Sequence, residues 1–488
     1  MPIRKVLIAN RGEIAVRVAH TLRTLGLQSV VIYHASDTLS LAVREADEAI
    51  EIPAATGVAA YLDVEAILAA ARRSGADSIH PGYGFLAENA DFAAAVDAAG
   101  LRFIGPPPEV IRLMGDKIRA RECVAQAGFP ITPSATENGT ASEFVERVSA
   151  IGFPVLIKAA AGGGGRGMRI VRSADALEGE LEAARREAER SFKDGRVYVE
   201  RYVERPRHIE VQVLSDRHGT HVHLGERECS VQRRFQKLIE ETPSASLDPG
   251  ERERLCETAV GIARAVGYVN AGTVEFIFAP SGGFHFLEMN TRLQVEHPVT
   301  EMVTGLDLVA EQIRVADGER LSFRQGDLPS RGHAIECRIC AEDPQQGHTP
   351  TTGEVALLRP PTGPGIRFDS GLCSGQRITP AFDSMLAKLV AHGSERGQAI
   401  ARMRQALRDL VLLGVDHNAA YLERVLAHPA FAAAKLHTHF LEEHREELAL
   451  PQPSEAERVA VIASAALATR RATLDAPEPY AAMGPWRN

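Results

Sequence analysis

Cysteine is scarce, with six in 488 residues, at positions 123, 229, 256, 337, 340 and 373. Nothing in their spacing reads as a disulfide framework. The single C-x-x-C, Cys337-Arg-Ile-Cys340, lies in an alternating run, where residues i and i+3 point to opposite faces of a strand. No second pair completes a zinc site, so reduced, ordinary cysteines are expected. Tryptophan occurs once and aromatic residues make up 5%. No run approaches the ~20 apolar residues of a membrane span. The apolar core of the first ten residues, Val6-Leu7-Ile8-Ala9, is shorter than a secretory signal requires. A cytoplasmic protein, or a mature organellar one, without a membrane segment is expected. Positive charge is not in excess either. The net charge is −9, against the basic balance of a general nucleic-acid binder. The first strand-to-helix turn holds one glycine, Gly12, in place of G-x-G-x-x-G. No G-x-x-x-x-G-K-[ST] occurs, so a P-loop is excluded.

What is present is an ordinary globular mixture, 45% hydrophobic and 24% charged, in a chain long enough for about three domains. Strands are expected at 5–9, 28–33, 77–80 and 102–104, and helices at 13–25, 62–73 and 89–99. This alternation predicts a doubly wound parallel sheet, whose ligands sit beyond the carboxyl ends of its strands. The loops 10–12 and 80–89 lie there. A small α+β unit follows, with strands expected at 154–158, 167–171 and 197–202 and a helix at 173–190 capped by Ser173. Bounded by Gly/Pro segments, it is expected to act as a lid. Long alternating strands continue to Pro298. A mixed α+β segment is expected from Arg331 to Leu441, opening with strands and closing with helices near 399–410 and 417–427. A peripheral helix and a loose end are expected after Pro451. The fold class is therefore α/β and α+β.

Several clusters carry chemistry. Gly162-Gly-Gly-Gly165-Arg-Gly167 follows Lys158, and consecutive unhindered backbone N–H groups can wrap a polyphosphate; a flexible hairpin loop is the bland alternative. His208, Glu210 and Gln212 share one face of an alternating strand, which suits nucleotide contacts or a merely solvated sheet face. Two strands, 272–279 and 284–290, flank a Pro-Ser-Gly-Gly turn. If Ala279 pairs with Phe284, Glu275 stands opposite Glu288. Opposed carboxylates repel unless a cation lies between them, and oxygen-only ligands beside phosphates point to Mg²⁺ or Mn²⁺. Glu288, Asn290, Arg292, Gln294 and Glu296 alternate, so an extended chain would present all five together. Glu296 is left as a candidate base. Arg338, with Glu336 on its face, is read as either a salt bridge or an anion stabiliser.

The chain resembles biotin carboxylase, an ATP-grasp enzyme. The stretches that carry the resemblance are Ile8–Ala15, His80–Asn89, Met114–Lys117, Lys158 with its glycine loop, Glu226–Lys237, Glu288–Thr300, Glu336–Arg338 and Phe382–Met385, spread over about residues 1–447. The resemblance implies an N-terminal doubly wound domain (1–114), an ATP-grasp domain (115–330) with a mobile lid (131–204), a C-terminal mixed α+β domain (331–447) and a peripheral tail (448–488). It implies that ATP and bicarbonate form carboxyphosphate, whose CO₂ passes to biotin, the first half-reaction of an acyl-CoA carboxylase. By matching motif, Lys117, Lys158, Gly162, Gly163, Gly164, Gly165, Glu200, Val203, His208, Gln232, Lys237, Glu275 and Glu288 would bind the nucleotide. Glu275, Glu288 and Asn290 would hold two Mg²⁺ or Mn²⁺ ions, and Arg292, Gln294 and the backbone of Val295 would bind bicarbonate. The catalytic set would be Glu296 as base, Arg338 on the biotin enolate, Arg292 and Lys237.

Four positions depart from the family pattern: Phe235 where a polar residue such as histidine is common, Ala161 in the glycine run, and Ala381-Phe382 for Tyr-Tyr. No lysine follows a methionine, and Lys388 and Lys435 are the only ones after Lys237. Biotin is therefore expected to arrive on a partner, a biotin carboxyl carrier protein or domain, or as free biotin. A carboxyltransferase subunit, together with a second copy of the chain, completes the expected partners. The acyl acceptor is set by the partner proteins. Another ATP-grasp ligase that activates bicarbonate or a carboxylate as an acyl phosphate is the alternative enzyme, and a catalytically dead nucleotide-binding scaffold the non-enzymatic one.

Overall fold

A computed structural model describes residues 2–161, 168–451 and 454–474. The glycine run Gly162–Gly165 and the last fourteen residues lie outside the described residues. The N-terminal strands β1 (Lys5–Ile8), β2 (Gln28–Tyr33), β3 (Glu48–Glu51), β4 (Ser78–His80) and β5 (Arg102–Phe103) form one parallel sheet in the order β3-β2-β1-β4-β5. Hydrophobic pattern alone does not disclose β3. Its sequence is Glu-Ala-Ile-Glu and it is mostly exposed, because an edge strand needs few apolar residues. Helix Gly12–Thr24 starts just past the carboxyl end of β1. Gly12 takes φ +66 there, and a Cβ on Gly371 would lie 2.5 Å from the Gly12 carbonyl carbon. A distant part of the chain therefore packs directly on the start of this helix.

The small α+β unit that follows holds a four-stranded antiparallel sheet, with β6 (Ser134–Thr136), β7 (Val155–Ala159), β8 (Arg169–Val171) and β9 (Val197–Arg201) in the order β6-β9-β7-β8. It has a small core of its own, including Val148, Val155, Ile157, Leu181 and Val199. The Ser173 cap is not formed. A 3₁₀ turn over Ala174–Ala176 precedes the α-helix Leu177–Phe192, and the Ser173 side chain makes no capping bond.

The centre of the molecule is an eight-stranded antiparallel sheet. It contains β10 (Arg207–Ser215), β11 (His221–Arg233), β12 (Gln236–Thr242), β13 (Asn270–Phe278), β14 (Phe284–Asn290), β15 (His333–Cys340), β16 (Ile366–Ser370) and β17 (Met385–Gly393). Their order is β14-β13-β10-β11-β12-β15-β17-β16. Three of the strands after Arg331, β15, β16 and β17, thus extend the central sheet, while shorter strands from the same segment pair in two-stranded sheets. Ile209, Val211 and Val213 of β10 face a core shared with helices Lys117–Gln126 and Pro249–Ala265. By the period of the strand, His208, Glu210 and Gln212 then share the opposite, polar face. Helices Arg396–Asp409 and Ala419–Ala427 cover β15 and β17. The six cysteines are free. Residues Met1–Leu448 form one compact unit; the tail is a second, carrying helix Glu455–Leu474, whose start is capped by Ser454 and Glu457.

Candidate functional site

Strand register aligns four charges in one row: Glu288 opposite Glu275, Glu275 opposite Glu210, and Glu210 opposite Arg227. The opposition of Glu275 and Glu288 is the expected one, but its route differs. Near the turn Phe278 pairs with Phe284 and Phe276 with Phe286, and a bulge at Leu287 restores the opposition at Glu288. The inserted residue shifts pairing by one, which an unbroken register from the turn would miss.

Lys237, on β12, gathers this row. Its ammonium donates to Glu210 at 2.5 Å, Glu275 at 2.8 Å and Glu296 at 2.6 Å. Burial alone would lower the Lys237 pKa, but the three carboxylates outweigh it and hold the group charged, well above its usual value. Burial likewise opposes ionisation of Glu275; Lys237 and His208 overcome it and keep the carboxyl well below the usual range. His208 contacts the other Glu275 oxygen at 2.8 Å, and Gln232 faces its second ring nitrogen. Fully buried Arg227 closes the network through Glu210, Gln212, Thr273 and Thr300. Glu210 and Gln212 are thus internal supports and not exposed nucleotide contacts.

Glu296 is completely buried. One oxygen accepts from Lys237 and the other from Arg338 at 3.0 Å. Burial works against its charge, yet Lys237, Arg338 and Arg227 hold it well below the carboxylate range. A carboxylate so held is ionised at any neutral pH and is a weak base. Arg338 also donates to Glu240 at 2.6 Å, and burial raises Glu240 to about 7 despite that contact. Arg338 is thus salt-bridged on two sides, and it also lines the cavity. Glu336 is not its partner. It is fully buried, both its oxygens lack hydrogen bonds, and burial pushes its pKa well up.

The alternation from Glu288 to Glu296 does not persist as a strand. β14 ends at Asn290, and 291–296 is irregular, turning into helix His297–Thr304. The residues still converge. Arg292 donates to Asn290, to Gln294 and, at 2.8 Å, to Glu88. Asn290 in turn donates to Glu275 at 2.8 Å. The proline after His297 starts a helix and terminates extension.

His208, Gln232, Asn290, Arg292 and Arg338 line a cavity of about 470 Å³ together with Lys117, Lys158, Lys237, Glu275, Glu288, Gln294 and Val295, whereas Glu296 lies just behind that lining, held by Lys237 and Arg338. Lys117 bonds Glu288. Lys158 lies 3.1 Å from buried Glu200, which Arg121 also pairs at 2.9 Å. Glu200 therefore stands behind Lys158, off the cavity wall, and Val203 is likewise absent from the lining among the described residues. Phe235 is 57% exposed at a turn where it and Arg234 both take positive φ; it lines the cavity mouth. Glu275, Glu288 and Asn290 supply only oxygen donors suited to a hard divalent cation, so the residues fit such an ion.

Sequence reasoning left Arg227, Glu240, Glu88 and Tyr83 without a site role. Their signal is spatial: Arg227 is one of many arginines until register sets it opposite Glu210.

Models of three families match in sequence order: biotin carboxylase, N-terminal domain (residues 2–111), carbamoyl-phosphate synthase L chain, ATP binding domain (116–324), and biotin carboxylase C-terminal domain (336–443). The chain is 47% identical over 444 residues to a biotin carboxylase of Nostoc sp., covering 91% of this chain and 99% of that one. It is 48% identical over 444 residues to biotin carboxylase 1 of Bacillus subtilis, covering 90% of this chain and 98% of that one. Among solved structures, the biotin carboxylase domain dimer of Hydrogenobacter thermophilus 2-oxoglutarate carboxylase, in complex with MgADP, ADP and bicarbonate, superposes with TM-score 0.90 at 44% identity. That match covers 93% of this chain and 100% of that one.

Proposed function

The chain belongs to the biotin carboxylase family, and from that premise we propose how its own residues carry the reaction. It is a ligase that carboxylates biotin at the expense of ATP, with bicarbonate as the carbon source. The observation that carries the residue assignment is the ammonium of Lys237 held by Glu210, Glu275 and Glu296, with Arg338 on the second oxygen of Glu296.

In this reading Lys117, Lys158, His208, Gln232 and Lys237 bind the nucleotide, with the glycine run 162–165 on its phosphates and Glu200 orienting Lys158. Glu275, Glu288 and Asn290 hold the Mg²⁺ or Mn²⁺ ions, which neutralise phosphate charge. Arg292, Gln294 and the Val295 backbone hold bicarbonate. Glu296 takes its proton, and because that carboxylate is a weak base, the cations Lys237 and Arg292 must stabilise the anion that results. The bicarbonate oxygen then attacks the γ-phosphorus, and ADP leaves. The carboxyphosphate so formed breaks into CO₂ and phosphate, the phosphate takes the N1′ proton of biotin, Arg338 holds the ureido oxygen of the resulting enolate, and N1′ bonds to the CO₂ carbon.

The partners follow from the same reading. Biotin arrives on a carrier protein or domain, a carboxyltransferase uses the product, and the chain pairs with a second copy. The four segments 1–114, 115–330, 331–447 and 448–488 are our proposed division. Purified protein with MgATP, bicarbonate and free biotin should cleave ATP faster with biotin than without it. ATP cleavage that ignores biotin but responds to an amine or carboxylate acceptor would favour the other ATP-grasp ligase.

A further inference from the structure

Lys388 lies in the middle of β17 and is fully buried, off the cavity wall. A buried ammonium is costly unless its protons find acceptors. Lys388 donates to the backbone carbonyl of Val295 at 3.1 Å. It lies 3.1 Å from a Glu13 oxygen and 3.9 Å from Asp369.

The Val295 contact acts on a turn that faces the cavity. Next to it, His297 is fully buried, and burial together with Lys388, Arg17 and Arg367 holds its ring neutral. A neutral imidazole has one N–H. Nδ1 lies 2.8 Å from the carbonyl of Gln294, so the proton sits there. In a trans peptide the N–H and C=O point in opposite directions. Turning the Gln294 carbonyl toward His297 therefore turns the Val295 N–H the other way. Lys388 holds the next carbonyl, which sets the direction in which Glu296 leaves the turn. On its far side, Glu13 belongs to the N-terminal helix Gly12–Thr24, and its other oxygen accepts from Tyr83, a residue of the cavity wall.

We propose that Lys388, with Glu13 as its counter-ion, is a positioning residue for the bicarbonate site: it fixes the 294–296 turn and couples it to the N-terminal segment. This rests on the functional reading above. Lys388→Met keeps the length of the side chain and removes its charge and donors. Losing a charged hydrogen bond that orients a site is expected to raise KM for bicarbonate by ~10- to 100-fold, with KM for ATP within about twofold, since the nucleotide contacts are untouched. Glu13→Gln removes the charge but keeps one acceptor oxygen, available to Lys388 while the amide NH2 meets the Tyr83 hydroxyl, so a smaller rise, ~3- to 10-fold, is expected.

The experiment is steady-state ATP cleavage at varied bicarbonate and at varied ATP, on both variants and the wild type. A folded Lys388→Met whose KM for bicarbonate is unchanged, or whose two KM values rise together, overturns the proposal. If Lys388→Met does not fold, Glu13→Gln decides by the same ratio. A wild-type protein without bicarbonate-dependent turnover would instead overturn the functional reading, a result no comparison among variants reproduces.

Discussion

The two walls of the cavity are built differently. On the central-sheet wall, Lys237 touches carboxylates from β10, β13 and the turn before helix His297–Thr304, and Arg338 closes the far side of Glu296. On the wall formed by the four-stranded sheet, Lys158 faces Glu200 of the same sheet, and Arg121 shares that acid. The first arrangement is pre-organised by several strands at once, the condition for stabilising charge as it develops. The second lets one cation exchange its partner with little else moving. Changes on the central-sheet wall should therefore damage chemistry and folding together, and changes on the wall of the four-stranded sheet should damage ATP affinity alone.

The largest effect should come from Lys237→Met. It leaves Glu210, Glu275 and Glu296 one cation short in a buried cluster, where breaking a buried pair costs ~3–5 kcal/mol. Turnover should be undetectable and the melting temperature clearly lower. A variant with wild-type melting would show that the three carboxylates do not depend on this ammonium.

Glu275→Gln and Glu288→Gln come next, each lowering metal-dependent turnover by ~10²- to 10³-fold. The structure ranks their stability costs. Glu275 answers both Lys237 and His208, whereas Glu288 answers Lys117, so Glu275→Gln should melt lower. Mg²⁺ titration of turnover with parallel melting checks both statements; unchanged Mg²⁺ dependence in either variant would remove the opposed-carboxylate metal site.

Lys158→Met should raise KM for ATP by ~10-fold, the worth of one charge-assisted contact, with kcat kept within a few-fold. A kcat loss as deep as that of Lys237→Met would erase the distinction between the walls.

Much of this was legible in the sequence because β-strand patterning is local. The βα alternation of residues 5–104 and the polar face of β10 follow from periods of a few residues, whereas the opposition of Glu275 and Glu288 depends on the bulge at Leu287. What was not legible depends on distant pairings. β15, β16 and β17 could not be assigned to the central sheet before β12 was seen to pair with β15. The convergence of Glu296 was expected from an extended chain and instead arises from a turn. Lys388 gave no local sign at all, since one lysine in an apolar strand looks like an irregularity until Val295 and Glu13 are placed beside it.

The smallest effect concerns pH. Burial raises Glu13 from 4.5 to about 7, with Lys388 opposing the shift. Between those values the folded protein keeps a proton that the unfolded chain has released. Stability should therefore fall as pH rises from about 5 to about 7 and be flat on either side. Glu13→Gln should abolish that slope, worth at most ~3 kcal/mol. Denaturant melts across the range would show it, and an identical slope in the variant would place the titration elsewhere.

The central claim is that Glu296 serves the formation of the activated bicarbonate and Arg338 its transfer to biotin. It is tested most directly by the ratio of biotin carboxylated to ATP cleaved, with labelled bicarbonate, in Arg338→Gln beside Glu296→Ala. Arg338→Gln should lose ~10²- to 10³-fold in carboxylation, as expected for removing a transition-state charge contact, while retaining part of the bicarbonate-dependent ATP cleavage, so its ratio collapses. Glu296→Ala should lose both activities together. An Arg338→Gln enzyme that lost both in equal measure, or a Glu296→Ala enzyme with normal biotin-dependent turnover, would contradict the assignment.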